Sequence, residues 1–174
     1  MKKAFCILLV LAASAALAQE KNPVTSAVKQ ILPRQEHNLV GAAETMPAEK
    51  YTYKPTEQQM TFGHLVLHVL ESNNHLCSKI SGTPEPKPTA PLKETDGKDK
   101  LIPALKASFE FCSTALAKVD DSKLTDEVEL FGGRKGSKAF ALIALTGDWA
   151  DHYSAAAMYL RLNGLLPPTA QPKK

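Results

Sequence analysis

Apolar residues recur at three- and four-residue spacing in four separate stretches of the chain, and polar or proline-rich segments divide them. The last stretch, residues 139–163, has the cleanest pattern. It contains no proline and one glycine, Gly147, and it places Ala141, Leu145, Trp149, His152, Ala156, Tyr159 and Leu160 at helical spacing. Asn163-Gly164 supplies a residue able to take positive φ just past the helix end, and Pro167-Pro168 forbids resumption. A first helix is expected to start at 23–25, with Pro23 in the first turn and Thr25 or Ser26 as cap. It carries Val28, Ile31, Leu32, Gln35, Leu39, Val40 and Ala43, and Met46-Pro47 closes it. Pro33 removes a backbone donor inside this run, which predicts a kink or a later start. A second helix begins at Gln58 or Thr61, follows Phe62, Leu65, Val66, Val69, Leu70, Leu76 and Ile80, and stops at Ser81-Gly82. A third covers 99–118 on Leu101, Leu105, Phe109, Cys112 and Leu116, with Pro103 in its first turn, where proline is tolerated.

The connections read as follows. Residues 48–59 form an extended loop. Residues 83–100 form a long solvated loop, with prolines from Pro84 to Pro91, expected to cross an end of the molecule. Residues 124–130 form a short turn of helix, and Gly132-Gly133-Arg134-Lys135-Gly136 a flexible link without the terminal Lys-Ser/Thr of a phosphate loop. No β-alternation extends beyond a few residues and no internal repeat is visible. The pattern predicts an all-α, four-helix bundle.

The chain has 174 residues, of which 1–18 read as a signal peptide: Lys2 and Lys3, an apolar run from 4 to 13, then Ala16-Leu17-Ala18. The run is too short for a stable span, which needs about 20 residues. Residues 19–174 then form one domain, in the periplasm or secreted, with no membrane span once the signal is cleaved. Losing two lysines lowers the formal charge from +3 to about +1, so the balance points to no charged partner. No basic cluster interleaved with aromatics supports nucleic-acid binding. Cys77 and Cys112 remain, either as a disulfide closing a loop of about 35 residues or as two buried thiols.

Candidate chemistry lies in Asp148-Trp149-Ala150-Asp151-His152-Tyr153. Asp148 and His152, four residues apart, project from one helix face, where a carboxylate and an imidazole can share a metal ion or make an ordinary polar contact. His64, His68, Glu71 and His75 form a polar stripe on the second helix, which also reads as a solvated face.

Two segments carry a resemblance. Tyr51-Thr-Tyr-Lys-Pro-Thr followed by Met60-Thr-Phe-Gly-His-Leu-Val-Leu-His-Val-Leu-Glu-Ser-Asn resembles the DinB-like metalloenzymes, and so does 151–168, from Asp151-His152-Tyr153 through Tyr159-Leu160-Arg161-Leu162-Asn163-Gly164 to Pro167-Pro168. Ala42-Ala43-Glu44 and Met46-Pro47 also fit. The resemblance implies a four-helix bundle of variant up-and-down topology with a crossover. It also implies a divalent metal held by one histidine of the second helix and two of the fourth. His68, in His68-Val69-Leu70-Glu71, and His152, before Tyr153, match that pattern. The first position of the fourth helix falls on Asp148, a departure from histidine. The implied set His68, Asp148 and His152 suits zinc, nickel, manganese or iron with open positions for water or substrate. Glu71 and Asp151 are candidates to orient the histidine rings. Characterised relatives include transferases and isomerases using small thiols, which implies a metal-dependent transferase or hydrolase on a small, thiol-type molecule; catalytic residues beyond the site are unknown. The contrasting expectation is a non-catalytic periplasmic binding or stress-related bundle with a degenerate metal site. A homodimer is possible by resemblance, although the pattern shows no exposed apolar stripe that demands one.

Overall fold

The computed structural model describes residues 20–87 and 90–172, so the expected signal segment lies outside the described residues. Four helices appear: α1 (Pro23–Thr45), α2 (Phe62–Ser81), α3 (Lys98–Leu116) and α4 (Lys138–Leu162). Local chemistry sets their ends. Thr61 caps α2 by accepting the His64 N–H at 3.1 Å, and Ser137 caps α4 by accepting the Phe140 N–H at 3.2 Å. Past α4, Gly164 takes φ 74° and lets the Leu165 N–H turn back to the Leu160 carbonyl at 2.9 Å. α1 starts at Pro23 and continues through Pro33, so its start is not delayed. α3 begins at Lys98, which moves Pro103 into the second turn rather than the first.

Around the bundle, α1 packs on α3 and α4, and α2 packs on α3 and α4, so α1 and α2 stand diagonally, as do α3 and α4. Contacts between named residues fix the directions. On the α2–α3 seam, Asn73 meets Ser108 and Cys77 meets Cys112, so position numbers rise together and these helices run parallel. Across α2 and α4, Met60 meets Tyr159 and Asn73 meets Trp149, so that pair is antiparallel. Parallel neighbours joined in sequence need a connection that returns along the whole bundle. Among the described residues, 82–87 and 90–97 supply it: His75 faces Glu85 at 3.6 Å near its start and His64 meets Glu94 at 2.7 Å near its end. The segment therefore lies along the side of α2 instead of crossing an end as the sequence suggested. Gly63 admits it, since a Cβ there would come within 2.4 Å of the Glu94 carbonyl oxygen.

The α3–α4 connection also departs from expectation. Residues 127–137 form a small antiparallel hairpin, β1 (Glu127–Glu129) with β2 (Lys135–Ser137), pairing Val128 with Gly136. It replaces both the turn of helix expected at 124–130 and the flexible glycine link.

A polar network in the core is buried and complete. The Trp149 Nε1–H donates to Asn73 Oδ1 at 2.6 Å, Asn73 Nδ2 donates to Ser108 Oγ at 2.9 Å, and that hydroxyl donates to the Leu105 carbonyl at 2.7 Å. Every member has a partner, so the network fixes the mutual setting of α2, α3 and α4 without an unsatisfied group. One turn further along the seam the Cys77–Cys112 disulfide joins α2 to α3, with 5.2 Å between Cα atoms. Of the two arrangements left open by the sequence, the bridge is the one observed.

Candidate metal centre

Asp148 and Trp149 are successive residues of α4 and so point about 100° apart. Trp149 enters the core; Asp148 faces α2. Opposite it stands His68, and one turn along α4 stands His152. His68 Nε2 lies 3.5 Å from Asp148 Oδ1 and His152 Nδ1 lies 3.4 Å from the same oxygen. The two imidazoles stack with centroids 4.5 Å apart. One donor atom from each of the three residues falls within 4.8 Å of the others. The side chains of Asp148 and His152 are 18% and 14% exposed, whereas His68 is 38% exposed and forms the open edge.

The His152 ring is held from behind. His152 Nδ1 donates to the Asp148 backbone carbonyl at 2.8 Å, which leaves Nε2 as the lone-pair nitrogen of the neutral ring. His68 Nε2 has Ser72 Oγ at 3.3 Å besides the Asp148 carboxylate. The hydrogen bond to Asp148 raises the His68 pKa above its ordinary value, against partial burial, with the Asp148 and Glu71 charges adding to the rise. Glu71 and Asp151 make neither of these hydrogen bonds, contrary to the roles considered for them: α4's own backbone and Ser72 orient the rings instead. The remaining histidines go elsewhere. His64 pairs with Glu94 and His75 stacks on Phe131 and faces Glu85, while His37 lines a separate groove beside Pro168.

Three observations test whether the cluster fits a divalent ion. Asp148 Oδ2 is buried and has no hydrogen-bond partner, which a cation would remedy. The 3.5 Å between His68 Nε2 and Asp148 Oδ1 is close to the spacing of two ligands about 2.0–2.1 Å from a tetrahedral ion, which stand about 3.3–3.4 Å apart. Two imidazoles and one carboxylate are also an ordinary donor set for zinc, manganese, iron or nickel. The residues fit.

Beside His152 opens a cleft of about 340 Å³ between the start of α2 and the second half of α4, walled by Met60, Leu65, Ala155 and Met158, with Gln59 and Asp151 as polar members. The Tyr159 hydroxyl braces this wall, 3.2 Å from Gln59 Oε1 and 2.9 Å from the Met60 carbonyl. The sequence reading missed Gln59 and Met60 in this role, and Asn73 in the core. Asn73 alone left a signal: it falls on the apolar spacing of Val66, Val69 and Leu76, where a surface asparagine would not.

Fold and cluster together define a four-helix bundle with a crossover and a histidine–aspartate group of metal-site geometry. Residues 31–154 match the model of the DinB superfamily; the chain belongs to that family. Among solved structures it is similar to a DinB-like protein from Bacillus subtilis at 21% identity and TM-score 0.66, covering 84% of this chain and 99% of that one. A DinB-like protein from Bacillus cereus matches at 15% and 0.65, covering 86% and 97%. A conserved protein from Enterococcus faecalis matches at 16% and 0.64, covering 80% and 96%. No functionally curated protein matches the chain.

Proposed function

We propose that this protein binds one divalent metal ion through His68, Asp148 and His152 and acts there on a small molecule seated in the adjoining cleft. The observation that carries this reading is the unpartnered Asp148 Oδ2, buried between two imidazoles whose orientations are already fixed. An orphaned carboxylate oxygen in a helix interface is unfavourable unless something positive completes it. When bound, such an ion supplies Lewis-acid activation of a coordinated oxygen or sulfur. The chain's own residues do the rest. The Asp148 carbonyl and Ser72 hold the rings, Tyr159 stiffens the wall carrying Gln59 and Met60, and Met158 and Leu65 keep part of the cleft dry. A small thiol-type or hydrolysable substrate suits a cleft of this size, whose wall combines apolar side chains with amide donors. Export to the periplasm or beyond belongs to the same reading, because a disulfide such as Cys77–Cys112 persists in oxidising compartments. Among the described residues no helix is long and apolar enough to cross a membrane.

Metal content measured by mass spectrometry tests the site. The purified protein is expected to hold about one equivalent of zinc, nickel, manganese or iron, as a single site of this kind requires. The His68→Ala, His152→Ala double variant should hold none while keeping its helical circular dichroism. A native protein that stays metal-free after incubation with each ion overturns the proposal.

A further inference from the structure

Between α2, α3 and the returning segment lies a second hollow, of about 360 Å³, that shares no lining residue with the cleft beside His152. Leu67 and Leu70 of α2, Leu92 of the segment and Ala104 of α3 give it an apolar wall. Pro86 and Pro91 bound it on the segment side, and proline has no N–H to offer a ligand. What the hollow presents instead is acceptors.

Two of these stand one turn apart on α2. Asn74 lines the hollow, and its Oδ1 is shut off from solvent without a hydrogen-bond partner. Such an oxygen is unfavourable until a donor completes it. The terminal amide torsion is soft, so a turn about it presents the oxygen to the hollow. Glu71, three residues earlier, is exposed and makes no ion pair among the described residues. Helix positions three apart stand about 5–6 Å apart at Cβ, a span that one ammonium group bridges with two of its three donors. The charges at the rim agree: Glu71 and Glu85 stand against Lys87 alone. Glu85 is turned toward His75 at 3.6 Å, which leaves Glu71 as the carboxylate for a ligand. An apolar body with a cationic, hydrogen-donating head suits this combination; an anion would meet Glu71.

We propose that this hollow binds a small primary amine with an apolar body, its ammonium group held by Glu71 and Asn74 and its body laid on Leu67, Leu70 and Leu92. The site does not depend on the metal reading. Leu67 and His68 are successive residues and point about 100° apart, His68 toward Asp148 of α4 and Leu67 into the hollow.

Titration with 2-phenylethylamine, followed by calorimetry and by amide NMR shifts, tests the site. The amine should saturate one site with Kd below about 5 mM, within reach of a ligand of about nine non-hydrogen atoms. The shifts should centre on residues 67–74, 92 and 104–108, which line the hollow. 3-Phenylpropionate, similar in shape but anionic, should bind at least about tenfold more weakly, because its charge faces Glu71. Glu71→Gln, a surface change that spares the core, should weaken the amine about three- to tenfold, the range of a part-exposed charge-assisted hydrogen bond. Ala104→Phe should fill the hollow and abolish binding with unchanged circular dichroism. An amine that does not saturate, a propionate that binds as tightly, a Glu71→Gln protein of native affinity, or shifts centred on the cleft beside His152 overturns the proposal.

Discussion

Adjacent residues of α4 serve two polar clusters with opposite completeness. Trp149 enters a network in which Asn73 and Ser108 are both satisfied, ending on the Leu105 carbonyl. Asp148, one residue earlier, sits between His68 and His152 with one carboxylate oxygen buried and unpartnered. A finished network stabilises and orients the helices around it. An unfinished one is tolerated where the surrounding packing holds it for a ligand. The contrast predicts that the two clusters will separate under mutation, one affecting stability and the other affecting binding.

The largest effect belongs to the finished side. The Cys77–Cys112 bridge and the Asn73–Ser108 hydrogen bond are neighbouring rungs of one parallel seam. Closing a loop of this length contributes about 3–4 kcal/mol in the chain-entropy account. The Cys77→Ala, Cys112→Ala double variant should lose about that much in urea unfolding; a loss under about 1 kcal/mol would mean that the seam does not depend on its bridge. Asn73→Ala comes next. It strands the buried Trp149 N–H and removes the acceptor that orders the indole, at a cost of about 2–4 kcal/mol including the cavity. Metal content should not change. An Asn73→Ala protein of native stability would show that water replaces the asparagine and that the network is not closed.

Asp148→Ala should behave in the opposite way. Without metal it removes a carboxylate with one oxygen unpartnered and the other in a part-exposed contact with His68, so stability should stay within about 1 kcal/mol of native. With metal it deletes a ligand, and affinity should fall at least about tenfold, since changes even to outer hydrogen-bond partners reach that size. The native protein should gain about 2.7 kcal/mol at a hundredfold excess of ion over Kd, and the variant almost none at the same concentration. Equal metal-induced stabilisation of both proteins would place the ion elsewhere.

These two clusters were unequally legible in the sequence. The metal-type cluster was readable because its spacing is local on α4, Asp148 to His152, and because one family resemblance singled out His68 on α2. The helices were readable for the same reason: apolar spacing and caps act within a few turns. What was hidden depended on distant contacts. The parallel pairing of α2 and α3 is settled by Asn73 meeting Ser108 and Cys77 meeting Cys112, 35 residues apart in each case, and with it the return of 82–97 along the bundle. The hairpin escaped notice because three residues per strand, Glu127–Glu129 and Lys135–Ser137, are too few to show alternation. Asn73 left only its place on the apolar spacing as a signal, because its partners Ser108 and Trp149 are distant in sequence.

A third carboxylate sharpens the comparison at smaller amplitude. Asp121, between α3 and the hairpin, caps α1 from across the sequence. Its Oδ2 accepts the Val24 N–H at 2.8 Å and its Oδ1 accepts the Thr25 N–H at 2.9 Å, while its own N–H donates to Asn22 Oδ1 at 2.9 Å. Both oxygens are thus occupied, unlike those of Asp148, and they complete a helix end whose Asn22 makes no side-chain cap. Burial acts to raise the Asp121 pKa, but the Val24 and Thr25 donors, with Lys29 nearby, outweigh it and hold the carboxyl below its ordinary value. A depressed carboxyl contributes stability above its unfolded pKa, near 4, and loses that contribution as pH falls through the folded value. Native protein melted from pH 7 down to 3 should therefore lose Tm below about pH 4, and Asp121→Asn should start lower and decline less steeply. Parallel acid slopes in the two proteins would show that the α1 cap carries no proton-linked stability. Asp121 would then differ from Asp148 only in where it sits, not in how completely it is used.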